Sequence, residues 1–164
     1  MVNYSITKLD ISYKKLTLLP DDIGKYTNLQ ELYCNYNKIT SLDNLPSNLQ
    51  ELCCWSNKLT SLDNLPPNLK ELHCRNNQLT SLNNLPPNLK VLYCSGNKLT
   101  SLDNLPQSLE ILYCNCNLLT SLDNLPPNLQ ELNCGNNPLT YDFKPTIENI
   151  RNYNAARKLS SNIT

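Results

Sequence analysis

Residues 59–78 read LTSLDNLPPNLKELHCRNNQ, residues 79–98 LTSLNNLPPNLKVLYCSGNK and residues 99–118 LTSLDNLPQSLEILYCNCNL. Shifting the 164-residue chain by 20 lays it on itself almost letter for letter, and a fixed period of that size settles the architecture before any local propensity does. Within each period the pattern L-x-x-L-x-C-x-x-N-x-L recurs, as in Leu49, Leu52, Cys54, Asn57 and Leu59. Six consecutive copies agree, beginning at Leu29, Leu49, Leu69, Leu89, Leu109 and Leu129. A divergent copy precedes them with Ile6, Leu9, Ile11 and Leu16; it has Lys14 where the others have Asn, and lasts 23 residues, from position 6 to Leu29.

The segment L-x-C, Leu32 to Cys34 and its equivalents, alternates inward and outward, which predicts a short strand in every copy and a parallel sheet of seven. Strand neighbours stand about 4.8 Å apart, and the return path S-L-D-N-L-P-P-N is held extended by its prolines. Leu at the first, fourth, eleventh, fourteenth and seventeenth repeat positions forms inward columns that only neighbouring coils can cover. This spacing is the leucine-rich-repeat signature with Cys in its third apolar slot. The expected fold class is an α/β-type leucine-rich-repeat solenoid, right-handed and mostly β. It has seven coils, a parallel concave sheet, an extended convex side and a short C-terminal capping helix.

One folded domain is expected, in which residues 1–28 form the N-terminal divergent repeat and cap, 29–140 the six regular repeats, and 141–164 the C-terminal helical cap and tail. Pro145 opens PTIENIRNYNAARKL, where Ile147, Ile150, Tyr153 or Asn154, and Arg157 follow helical spacing. That predicts a helix over 145–158 with Pro in its first turn, and a frayed LSSNIT at 159–164.

Two inward columns are not leucine. Asn37, Asn57, Asn77, Asn97, Asn117 and Asn137 are polar and buried by position, so their amides should bond backbone groups of adjacent coils. Cys34, Cys54, Cys74, Cys94, Cys114 and Cys134 read as small buried hydrophobes and not as a bridge framework or a zinc site, because a straight column does not converge tetrahedrally. Six unpaired thiols point to a reducing compartment, and the expected location is cytoplasmic.

Lys plus Arg and Asp plus Glu both number 14, so no overall field draws the chain to nucleic acid or anionic lipid. No stretch of roughly 18 apolar residues occurs, and MVNYSITKLD lacks the basic-then-apolar pattern of an export signal. Neither a nucleic-acid nor a membrane partner is expected, and no cofactor.

The unit L-T-S-L-D-N-L-P-P-N-L-x-E-L-x-C-x-x-N-x is similar to the 20-residue repeats of bacterial type-III effector proteins, over roughly residues 29–140. In that family it reads L-x-x-L-P-x-L-P-x-x-L-x-x-L-x-V-x-x-N-x. The P-P-N-L segments at 66–69, 86–89 and 126–129 match closely, whereas residues such as Asp43 replace the family's first Pro and Cys replaces its Val. The Cys-bearing version also resembles short leucine-rich-repeat proteins of giant DNA viruses. Either resemblance implies an intracellular binder of host or partner proteins. The ubiquitin-ligase domain of some effectors has no counterpart in the residues after the last coil.

Outward positions 3 and 5, with 7 and 8 just beyond the strand, form columns on the concave face and carry almost all the variation between copies. Val91, Ile111, Tyr93 and Tyr113 should be neighbours on two adjacent strands, in an apolar patch where other copies place Glu. Trp55, Arg75, His73 and Tyr33 should extend it over the earlier coils, and Trp, Tyr and Arg are types enriched in binding hot spots. These eight residues are the candidate partner-binding site; the alternative is that stacked aromatics merely favour cross-strand packing. Glu31, Glu51 and Glu71 stack in one column near sheet spacing, which costs repulsion unless Lys70 and Lys90 alongside relieve it. Cys53 and the only histidine, His73, share a column with Glu51 and Glu71 close by. Neither catalysis nor metal capture is expected there, for want of an enclosed pocket and convergent donors. The expected function is a non-catalytic protein-binding scaffold working through its concave face. The alternative is an assembly protein that self-associates through the solenoid.

Overall fold

The computed structural model describes residues 4–161. Seven three-residue strands form one parallel sheet in chain order: β1 (Lys8–Asp10), β2 (Glu31–Tyr33), β3 (Glu51–Cys53), β4 (Glu71–His73), β5 (Val91–Tyr93), β6 (Ile111–Tyr113) and β7 (Glu131–Asn133). The register pairs Leu9 with Leu32, Leu32 with Leu52, and so on to Leu112 with Leu132. Equivalent letters of successive repeats are therefore lateral neighbours, and the chain is a solenoid.

Three inward columns of leucine, at repeat positions 1, 4 and 11, are almost wholly inaccessible through the middle of the molecule, as Leu69, Leu72 and Leu79 illustrate. The seventeenth-position column is shallower: Leu105 is buried, but Leu45, Leu65, Leu85 and Leu125 only partly so. The cysteine column lies in the same core with all its thiols free.

The return path is built from tight turns. Pro46, Pro66, Pro86, Pro106 and Pro126 each accept a backbone hydrogen bond from the leucine three residues on, at 3.1–3.2 Å. In P-P-N-L the second proline occupies the turn position whose φ it already matches, so the turn delivers the chain to the next strand. Among the described residues the convex wall holds no α-helix, and in the longer first coil Ile23–Lys25 forms a 3₁₀ turn with Ile23 buried.

The asparagine ladder satisfies the backbone that this winding leaves open. Asn77 Nδ2 donates to Cys54 O and Cys74 O, both at 3.1 Å, and its Oδ1 accepts from Leu59 N at 3.0 Å. Asn57 donates likewise to Cys34 and Cys54, and Asn97 to Cys74 and Cys94. Each inner cysteine carbonyl in the middle coils thus accepts two amide hydrogens, one from its own coil and one from the next.

Helix α1 (Ile147–Ser161) begins two residues later and ends three residues later than the sequence spacing predicts. Thr146 is the reason at the start: its Oγ1 accepts from Asn149 N at 3.2 Å, the bond of an N-cap, which leaves Pro145 outside. Residues 159–161 are helical and not frayed; 162–164 lie outside the described residues. Ile150 is fully buried against the last coil, and Tyr141, Phe143 and Tyr153 form an aromatic cluster beside it. Arg151 donates to Pro126 O and Pro127 O, and Asn154 to Leu122 O and Asp123 O, so the cap also satisfies carbonyls of the outer wall. The seventh copy contributes its strand but no full return path, because α1 takes that place.

Candidate protein-binding face

First and third residues of each strand point from the same face of a sheet. Two outward columns follow from the register: Lys8, Glu31, Glu51, Glu71, Val91, Ile111, Glu131, and Asp10, Tyr33, Cys53, His73, Tyr93, Tyr113, Asn133. Val91 sits beside Ile111 and Tyr93 beside Tyr113. The Tyr93 and Tyr113 rings meet edge to face with centroids 4.9 Å apart, and His73 lies 4.6 Å from Tyr93 on the other side. His73, Val91, Tyr93, Ile111 and Tyr113 are all half-buried. They form one apolar patch across β4, β5 and β6, bounded by the Tyr113 hydroxyl donating to Glu131 at 3.2 Å.

Tyr33, Trp55 and Arg75 do not join that patch. Tyr33 belongs to a polar network: Lys8 Nζ lies 4.5 Å over its ring, and its hydroxyl faces Glu31 Oε2 at 3.1 Å and Glu51 Oε1 at 2.9 Å. Burial, and then the Glu51 carboxylate, push this phenol up to about 12, so it remains a donor at neutral pH. Trp55 and Arg75 lie on a separate ridge, with the guanidinium 5.4 Å from the indole centroid. Tyr36 meets Trp55 edge to face at 4.3 Å, and Tyr13 stacks on Tyr36 at 4.5 Å.

Tyr13 and Tyr36 occupy repeat position 8, which the repeat places just beyond the strand on the concave face, although neither is among the eight candidate residues. At repeat position 8 the backbone turns into the left-handed region, at Tyr36, Ser56, Asn76, Gly96, Cys116 and Asn136. The position-8 side chain there no longer obeys in-out alternation. An aromatic at this place in each of the first two copies was the available signal. At Gly96 an added Cβ would meet Asn76 Oδ1, the mobile end of a side chain, and the left-handed φ of 66° is the conformation that glycine adopts without strain.

The hydrogen bonds of Lys70 and Lys90 go elsewhere than to the glutamate column. Lys70 donates to Gln50 at 3.0 Å and Lys90 pairs with Glu110 at 2.8 Å, both in the neighbouring position-2 column. Lys8 neutralises Glu31 at 2.9 Å, while the Tyr33 hydroxyl and the Cys53 thiol face Glu51. Position 2 directly precedes the strand and stacks as a column of its own, Lys70 N donating to Gln50 O and Lys90 N to Lys70 O, so the two side chains meet their position-2 neighbours.

Cys53 is buried, and burial, followed by Glu51, pushes its thiol up to about 12. Burial lowers the His73 pKa despite the opposing carboxylates, so at neutral pH the imidazole is uncharged and its 3.8 Å approach to Glu71 is not an ion pair. A neutral thiol is a poor nucleophile, which argues against a Cys–His attack chemistry. Iodoacetamide applied to the native chain should alkylate Cys116 first, since it is the one exposed cysteine. Peptide mapping should find Cys53 labelled at least about tenfold more slowly than free thiol. Fast labelling of Cys53 would restore the nucleophile.

Leucine-rich-repeat models match the chain at residues 28–52, 47–87, 87–127 and 128–150. The chain belongs to the leucine-rich-repeat family. Among solved leucine-rich-repeat structures, a Shigella effector domain is 31% identical with a TM-score of 0.64, over 87% of this chain and 54% of that one. YopM from Yersinia enterocolitica is 29% identical at TM-score 0.71, over 86% and 40%. The functional domain of InlJ from Listeria monocytogenes, which includes a cysteine ladder, is 29% identical at TM-score 0.61, over 84% and 36%. This chain thus spans about half the length of the first and less of the others. No curated protein matches it in sequence. The leucine-rich-repeat fold is generally a non-catalytic scaffold that commonly mediates protein–protein interaction. Among the described residues, no helix is long and apolar enough to cross a membrane.

Proposed function

We propose that this leucine-rich-repeat chain captures a protein partner on its concave face, with Val91, Tyr93, Ile111 and Tyr113 at the centre. The observation that carries this is the replacement of Glu by Val and Ile on β5 and β6, beside two tyrosines in ring contact. A face kept soluble by carboxylates elsewhere opens here into contiguous apolar surface, which marks interaction sites. The ridge of Tyr13, Tyr36, Trp55 and Arg75 offers a second contact strip, His73 forms the β4 edge of the patch, and Tyr33 adds a polar contact on β2. The partner is a protein of an intracellular, reducing compartment, a reading supported by the free thiols and by the likeness to effector domains.

A Tyr93→Ala, Tyr113→Ala double variant should lose partner capture by about 100-fold or more while keeping its circular dichroism and unfolding midpoint, because both rings lie outside the leucine core. The assay is affinity capture from a host lysate with the variant as control, followed by titration of the captured protein. Undiminished capture would refute the patch. Light scattering that finds a concentration-dependent dimer, abolished in the same variant, would reassign the patch to self-association.

A further inference from the structure

Glu51 and Cys53 lie two residues apart on β3 and so project from one face. The register sets Glu51 beside Glu71 and Cys53 beside His73. One ligand atom from each of Glu51, Cys53 and His73 lies within 4.8 Å of the other two. The Cys53 thiol stands 3.6 Å from Glu51 Oε1. His73 Nε2 is buried and makes no hydrogen bond, and Glu71 Oε2 stands 3.8 Å from it, too far for one. A buried ring nitrogen without a partner is costly, and the cost disappears if its lone pair is given to something else.

The geometry points to a binding site for a divalent transition metal of the zinc type, ligated by Cys53 Sγ, His73 Nε2 and a Glu51 carboxylate oxygen, with Glu71 placed to enter as a fourth ligand. Mixed thiolate, imidazole and carboxylate donors suit zinc and its neighbours, whereas calcium and magnesium require oxygen shells. Bond lengths of about 2.0–2.3 Å at a tetrahedral ion place donors roughly 3.3–3.8 Å apart. The present spread therefore has to close by about an ångström, within reach of side-chain torsions on a fixed sheet. Charge favours the same occupant. Two carboxylates meet here, and the lysines nearest in sequence are engaged with Gln50 and Glu110 in another column.

Chemically the site departs from what the letters alone suggest. The inward cysteines run in a straight column and do not converge. Outward, donors one strand apart converge sideways, and only one of the seven copies carries Cys at position 5 with His beside it.

The test is titration of the full chain, first treated with chelator, with Co²⁺ followed by absorption and with Zn²⁺ followed by calorimetry. One metal per chain is expected, with a thiolate-to-cobalt charge-transfer band and release of the thiol proton. Ca²⁺ and Mg²⁺ at equal concentration should not compete. Cys53→Ser should abolish the band, and His73→Gln should weaken binding by at least about tenfold. His73→Tyr places on β4 the side chain that β5 and β6 already carry, so it preserves the ring row and should lose the metal equally. Cys116→Ser should change nothing. Absence of a band, its survival in Cys53→Ser, its loss in Cys116→Ser, or undiminished affinity in folded His73→Tyr would each overturn the assignment.

Discussion

Replacing Asn77 by Ala should cost about 3 kcal/mol of folding stability, a large change for one surface-sized side chain. The substitution leaves Leu59 N without its acceptor in the core, and an orphaned buried donor alone costs about 1–3 kcal/mol. The carbonyls of Cys54 and Cys74 keep one amide each, from Asn57 and Asn97, so their loss is only the net value of a hydrogen bond, about 0.5–1.5 kcal/mol apiece. Asn77→Asp should be worse than Ala despite its matching shape, because a carboxylate oxygen would then face two carbonyl oxygens where an NH₂ now donates. The same change at Asn137, which is only half-buried at the end of the ladder, should cost less than half as much. Urea unfolding of the three variants checks this through the midpoint at constant slope. Equal losses at 77 and 137 would mean that the ladder adds nothing beyond local turns.

Ile150→Asp should be the most damaging single change outside the repeats. This side chain is fully buried between α1 and the last coil, and a carboxylate there would lose its hydration without gaining an opposite charge. A loss of about 3–5 kcal/mol is expected, together with exposure of the leucines that α1 covers and concentration-dependent aggregation. Ile150→Leu keeps the volume and should cost under about 1.5 kcal/mol. Thermal unfolding with scattering as a second readout separates them. A stable, monomeric Ile150→Asp chain would show that the solenoid needs no cap at this end.

The winding was legible because a period of 20 leaves no freedom: once Leu32, Leu52 and Leu72 are known to be equivalent, the parallel sheet, its register and the inward columns follow. The pairings Val91 with Ile111 and Tyr93 with Tyr113 follow from the same arithmetic. What periodicity could not supply was direction off the strand. Tyr36 leaves through a left-handed turn, so the ridge it shares with Tyr13 and Trp55 is invisible to alternation. Lys70 and Lys90 point to a different column from the glutamates they adjoin in sequence, and only coordinates show which donors they meet. The helix boundary was misplaced because Pro145 and Thr146 both signal a start, and the hydroxyl bond to Asn149 decides between them.

Each coil grips only the coils beside it, and this governs how the molecule would respond to being pulled from its two ends. A coil advances the axis by one strand spacing, about 4.8 Å, yet its 20 residues reach roughly 68 Å when drawn straight. Tension would peel the spiral one winding at a time from the weaker terminus, each step releasing some 60 Å of slack. The protein is in that sense a spring with a long reserve, able to lengthen more than tenfold while a tethered load stays attached.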